Sequence, residues 1–235
     1  MIKAECNMKI GGEFSDVEKI VYSFKDCCDG IVLNPDHVKK LFRYFLGRHA
    51  PALIVQVKSS VVPPRPDEAS TIFYPLIKDA ISVGASAVIG SFFVGHEKDE
   101  DEAGNVRFIS FLARESEKIG LPLIVECIPF GERVTRENFP RCVELAARVS
   151  TEAGADIVAI PYVGEPAILQ KIIDGVGTPV LMLDIATPFG SAVENFKLAL
   201  NCGASGLVIG GETFQRVDIQ SIKKLYELIH VRDIG

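Results

Sequence analysis

Eight short apolar runs, each followed by a stretch with helical spacing, predict a (β/α)8 barrel for this chain of 235 residues. Two further observations agree. The length suits an α/β barrel folded as one domain, taken as residues 1–235. One junction also recurs between helix and strand: Val83-Gly84-Ala85-Ser86, Ala153-Gly154-Ala155-Asp156 and Cys202-Gly203-Ala204-Ser205. There a glycine ends the helix in a left-handed turn, and the small residue after it lets the chain enter the strand. A doubly wound open sheet is the competing arrangement, but no Gly-rich dinucleotide fingerprint supports it.

Taken in order, Ile2 to Asn7 reads as a short first strand, and Ser15-Asp16-Val17-Glu18 has capping-box form, opening a helix to about Lys25. Asp29-Gly30-Ile31-Val32-Leu33 is the second strand. Asn34-Pro35-Asp36 then caps a helix with Val38, Leu41, Phe42 and Phe45 at helical spacing. Leu53 to Val57 is the third strand, Ser59 to Asp67 a proline-rich loop, and Ser70 to Val83 the next helix. Ser86 to Gly90 forms the fourth strand, before the polar run Gly95-His96-Glu97-Lys98-Asp99-Glu100-Asp101, which reads as solvated loop. A helix ends near Gly120, and Leu121 to Glu126 is the fifth strand.

Phe139 to Ala153 is helical and leads into Ala155 to Gly164, the stretch around which the chain is organised. Ile157-Val158-Ala159-Ile160 is its buried strand, and it offers no acid, base or nucleophile before Tyr162. Pro166 to Asp174 follows as a helix, Pro179 to Leu183 as the seventh strand, Ser191 to Asn201 as a helix and Gly206 to Ile209 as the eighth strand. Ile219 to His230 closes the pattern with Ile222, Leu225, Tyr226 and Ile229 on one face.

An apolar content of 48% supplies a substantial core. The net charge of −6 comes from interspersed residues, with no Lys/Arg-rich run, so neither nucleic acid nor an anionic membrane is an expected partner. No apolar segment approaches the roughly 20 residues of a membrane span, and Met1-Ile2-Lys3-Ala4-Glu5 is no secretory leader, so a cytoplasmic location is expected. The six cysteines show no C-x-x-C or metal-finger spacing and read as reduced, buried thiols.

Barrel chemistry sits at the C-terminal ends of the strands. Those ends offer Asn7, Asn34, Lys58, Ser91 with His96, Glu126 with Cys127, Tyr162, Asp184 with Thr187, and Gly210-Gly211-Glu212. Gly210 and Gly211 would let backbone N–H groups approach a phosphate; an ordinary tight turn is the alternative. Glu126 ends an apolar strand and is a candidate general base, or one half of an ion pair. Lys58 is its candidate partner, or an amine for carbonyl chemistry. Asp184 is placed to orient a substrate hydroxyl or to cap the loop at Thr187-Pro188, and Tyr162 is the first polar group after strand six. His96 reads as solvated, and His37, His49 and His230 carry no assigned chemistry. Glu126, Asp184, Glu212 and His96 have no ligand spacing, so no metal site is assigned and no cofactor is expected.

Several segments, in this order and spacing, carry a family resemblance: Asp29-Gly30-Ile31-Val32-Leu33-Asn34-Pro35, Ala155-Asp156-Ile157-Val158 with Tyr162-Val163-Gly164, Pro179-Val180-Leu181-Met182, and Gly206-Leu207-Val208-Ile209-Gly210. Over almost its whole length the chain resembles the archaeal-type class I fructose-bisphosphate aldolases, in the wider deoxyribose-phosphate aldolase-like superfamily. The resemblance implies a barrel, homo-oligomers, a phosphorylated small-molecule substrate, and a lysine Schiff base as electron sink. It places that lysine at Ala159, which forms no imine. It also places a tyrosine at Ile128, a Gly-Gly pair at Asp184-Ile185, an Asp-His-Gly near Asn7-Met8-Lys9 and a basic residue at Gly211.

Three functions follow as expectations. The first is an aldolase-like carbon–carbon lyase acting on a phosphorylated sugar or keto acid, with the amine role moved to Lys58 or with Glu126 as base and no imine. The second is a non-catalytic barrel that binds a phosphometabolite or serves as a subunit of an assembly. The third is a metal-assisted lyase or isomerase using Glu126 and Asp184.

Overall fold

The computed structural model describes residues 1–3, 14–57, 77–185, 187–191, 193–210, 213 and 219–230. Strand and helix alternate along them: β1 Ile2–Lys3, α1 Phe14–Phe24, β2 Gly30–Leu33, α2 Pro35–Leu41 running into a 3-10 turn at Phe42–Phe45, β3 Ala52–Val57, and α3 at residues 77–82. There follow β4 Ala87–Val94, α4 Asp99–Ile119, β5 Leu123–Pro129, α5 Phe139–Glu152, β6 Ile157–Pro161, α6 Pro166–Gly175, β7 Val180–Leu183, α7 Phe196–Asn201, β8 Gly206–Val208 and α8 Ile219–His230.

The eight strands pair in chain order, each parallel to the next. The ring closes at a parallel bridge between Ile2 and Ile209, where the Lys3 N–H donates to the Ile209 carbonyl at 2.8 Å and the Ile209 N–H to the Met1 carbonyl at 3.0 Å. The expected (β/α)8 barrel is therefore the fold. Strands covered on both faces need apolar residues at every position, which is why the runs are continuous rather than alternating.

Alternation still divides the faces. Leu53, Val55 and Val57 of β3 join a core shared with helix residues such as Val38, Leu112, Val143 and Leu169, so they point outward. Val32, Ile54, Ala87, Ile89 and Ile124 form a second cluster drawn from strands alone, which is the barrel interior. Gln56, two residues beyond Ile54, shares its inward face.

The recurring junction behaves as its sequence predicts: Gly84, Gly154 and Gly203 all have positive φ, at 73°, 106° and 92°. The acidic run differs from expectation. Asp99, Glu100, Asp101 and Glu102 are not loop but the first turn of α4, where carboxylates favour the positive end of the helix dipole. Glu102 also accepts a 2.7 Å hydrogen bond from the Gly95 N–H. Strand β4 runs on to Val94 because its pairing with β5 continues to Val94 and Pro129. Ser15 lies inside the first turn of α1 rather than before it. Regular helix in α7 begins only at Phe196, because Ser191 is engaged in loop hydrogen bonds with Asp184, Val193 and Asn195.

Candidate functional site

Above the Ile54, Ile89 and Ile124 layer, the inward positions of β1, β4 and β5 carry Lys3, Ser91 and Glu126. The Glu126 carboxylate is completely buried. Lys3 Nζ donates to both its oxygens, at 2.7 and 2.9 Å, and Ser91 Oγ donates to Oε2 at 2.8 Å. Ser91 and Glu126 are register neighbours, so this contact follows from strand pairing. Lys3 comes from much farther: β1 and β5 stand opposite one another in the ring, and the lysine stem crosses the interior to reach the carboxylate. Its side chain is 13% exposed.

A charge held this deeply persists only because it is paired and hydrogen-bonded. Glu126 has both, and its partner is a cation that the sequence did not single out. Lys58, the cation expected there, lies outside the described residues, as do Gly211 and Glu212. Lys3 was visible in principle as one charged residue following an outward-facing isoleucine in a strand, but two described residues of β1 are too short to display alternation.

The far side of the interior is apolar. Ala159, the register neighbour of Glu126 on β6, is fully buried and clusters with Leu183, Val208, Ile128, Leu181 and Ile185. The site thus has a polar wall of Lys3, Ser91 and Glu126 on β1, β4 and β5, and an apolar wall that runs from Ile128 at the end of β5 through β6 to β8.

The other strand-end candidates stand apart from this pair. Tyr162 is buried in the helix-facing core, and its hydroxyl donates to the Gly164 carbonyl at 3.0 Å, bracing the loop before α6. Burial pushes its phenol above the ordinary tyrosine range. Asp184 accepts a 2.9 Å hydrogen bond from Ser191 Oγ, so its carboxylate organises the loop after β7. Thr187 caps that loop by donating to the Gly190 carbonyl at 2.7 Å. A Cβ at Gly210 would stand 3.4 Å from the Asp184 carbonyl oxygen, so the chains after β7 and β8 approach closely there. His96 lies beside Asn105 at 3.4 Å, in a pocket of about 680 Å³ formed with Lys98, Phe130, Arg136 and Pro188. Cys127 faces outward, and burial pushes its thiol up to about 12, so it remains a neutral core group. Among the described residues no three His, Cys, Asp or Glu side chains stand together to hold a metal ion, and no helix is long and apolar enough to cross a membrane.

Residues 5–216 match the family described as DeoC/LacD family aldolase. An uncharacterized aldolase of Saccharolobus solfataricus is 29% identical over 234 residues, covering 93% of this chain and 84% of its own length. The class 1 fructose-bisphosphate aldolase of Thermoproteus tenax is 32% identical over 163 residues, or 66% of this chain and 59% of that enzyme. Among solved structures, an archaeal fructose 1,6-bisphosphate aldolase superposes with a TM-score of 0.72 at 27% identity, over 92% of this chain and 84% of the other. Another, with its catalytic lysine covalently bound to the carbinolamine intermediate of the substrate, gives 0.70 at 27% identity, over 90% and 83%.

Proposed function

Because the chain belongs to the DeoC/LacD aldolase family, we propose that it is an aldolase-type carbon–carbon lyase in which Lys3 supplies the amine and Glu126 the acid–base group. The observation that carries this reading is the 2.7 Å contact between the two inside the barrel, beside Ala159. A relative's lysine has been trapped as a carbinolamine, so amine chemistry is native to this fold. Position 159 has no amine to offer, whereas Lys3 delivers one to the neighbouring strand from across the ring.

The steps follow from the contact. Transfer of one proton from Lys3 to Glu126 leaves a neutral amine beside a carboxylic acid, and the amine attacks the carbonyl carbon of the ligand. Glu126 gives that proton to the alkoxide oxygen, takes a second from the carbinolamine nitrogen and passes it to the same oxygen, which leaves as water and restores the carboxylate. The resulting iminium accepts the electron pair of the breaking carbon–carbon bond, and the proton of the hydroxyl on the leaving fragment passes to Glu126. Ser91 holds Oε2 throughout and keeps the carboxylate aimed. The phosphorylated end of the ligand would rest on the Gly210-Gly211 backbone.

Borohydride reduction in the presence of fructose 1,6-bisphosphate and other ketose phosphates tests the assignment. The expected result is a substrate-dependent adduct on Lys3, located by peptide mass spectrometry. An adduct on Lys58 alone would move the amine to that residue, and no adduct at ligand concentrations that saturate binding would remove imine chemistry. That last outcome would favour a second reading, a phosphometabolite-binding barrel. It draws on the same contact, since Lys3 and Glu126 already satisfy one another as a structural pair.

A further inference from the structure

Two amide side chains on the strands between β1 and β4, which carry Lys3 and Ser91, are not absorbed by the reaction. Gln56 is 5% exposed and shares the inward face of Ile54, and its Oε1 accepts no hydrogen bond among the described residues. Asn34 follows β2 with extended backbone, φ −69° and ψ 148°, and continues the inward parity of Val32. An asparagine at a helix start ordinarily uses its side-chain oxygen on the first turn's N–H groups. Asn34 makes no such cap bond to α2, and its Oδ1 is buried without a partner among the described residues.

Leu33 pairs with Val55, so the register carried one residue further sets Asn34 beside Gln56. Neighbouring strands are about 5 Å apart. Two buried acceptors therefore stand side by side on β2 and β3, adjoining β1, which carries Lys3. A buried acceptor left unmet is costly, and native proteins rarely keep two together without use.

We infer that Gln56 and Asn34 form a hydroxyl-recognising subsite at the barrel mouth, selecting a polyhydroxylated ligand over a keto acid. The inference rests on the aldolase reading for the ligand's phosphate and adds that its carbon chain carries hydroxyls toward β2 and β3. A hydroxyl donates to an amide oxygen and accepts from an amide nitrogen; a phosphate, carboxylate or ketone oxygen only accepts. The Lys3 ammonium disfavours an amine in the same place. The opposite wall of Ala159, Leu183 and Val208 suits the C–H face of such a chain.

The test uses ligands without a carbonyl, so that binding is read apart from imine formation. Hexitol 1,6-bisphosphate and ribitol 5-phosphate are titrated calorimetrically against their deoxygenated counterparts, hexane-1,6-diol bisphosphate and 5-hydroxypentyl phosphate. The wild-type protein is expected to bind at least one polyol about tenfold or more tightly than its counterpart, the scale of one or two buried hydrogen bonds. Gln56→Leu is expected to abolish that preference while keeping or raising the melting temperature, since it removes an unmet acceptor. Gln56→Met serves as a second variant of similar shape.

Equal binding of both members of each pair, no binding of any, or a preference that survives in both variants would overturn the subsite. A polyol preference without a borohydride adduct on any lysine would sink the aldolase mechanism and leave the subsite standing. An adduct accompanied by equal binding would sink the subsite alone.

Discussion

At the scale of the residue, Glu126 and Lys3 are worth most as a pair. Lys3→Met strips a completely buried carboxylate of its cation, and such removals cost about 3–5 kcal/mol. Lys3→Met combined with Glu126→Leu is expected to recover most of that loss, because the charge leaves with its partner. Urea unfolding of the two variants checks this, and a double variant no more stable than the single would contradict it.

Thiols give a second residue-scale prediction. Cys28 and Cys127 are both pushed by burial from an ordinary 9.0 to about 12. The unfolded chain gives up these protons near pH 9 while the folded protein holds them, so their full contribution to stability is present below pH 9 and is lost as pH rises toward 12. Each thiol steepens the decline by up to about 1.4 kcal/mol per pH unit. The Cys28→Ala/Cys127→Ala protein should show a shallower fall of urea midpoint between pH 8 and 10.5.

Elements were the most legible part of the chain. Helix ends at Gly120 and Gly154, and the apolar runs of β2, β3 and β6, appear within a residue or two of where glycine placement and composition put them, because those signals are local. The acidic stretch misled for a physical reason. Asp99 to Glu102 look like solvated loop by charge alone, yet the same charges favour a helix N-terminus, and only the helical spacing further on decides between the two.

The junction glycines allow a graded test. Gly84 has φ 73° with open space where a Cβ would be, whereas Gly154 has φ 106° and its Cβ would meet that of Ala113 at 2.9 Å. Gly84→Ala should cost about 1–2 kcal/mol from backbone strain, and Gly154→Ala more, since contact with α4 is added to strain. Equal melting temperatures for the two would show that the close approach is relieved elsewhere.

For the molecule as a whole, the barrel could be read from the count and order of its strands, but its interior could not. Glu126 was identifiable as a lone carboxylate at the end of an apolar strand. Its partner was not, because Lys3 and Glu126 are 123 residues apart and meet only through ring closure. Gln56 was hidden for the opposite reason: one polar residue within Leu53 to Val57 is easily taken as tolerated, and its meaning emerges only when the inward face is known. Tyr162 and Asp184 stood at strand ends as expected, but their side chains serve the loops before α6 and α7.

A ring of eight hydrogen-bonded strands resists stretching along its circumference far better than flattening into an ellipse. Lys3 and Glu126 belong to strands on opposite sides of that ring, and their contact ties the two sides together across the interior. Shortening either arm would remove that tie and free β1 and β5 to move relative to one another. On the proposed aldolase reading, the two side chains that would carry the reaction are also the ones that join opposite sides of the ring.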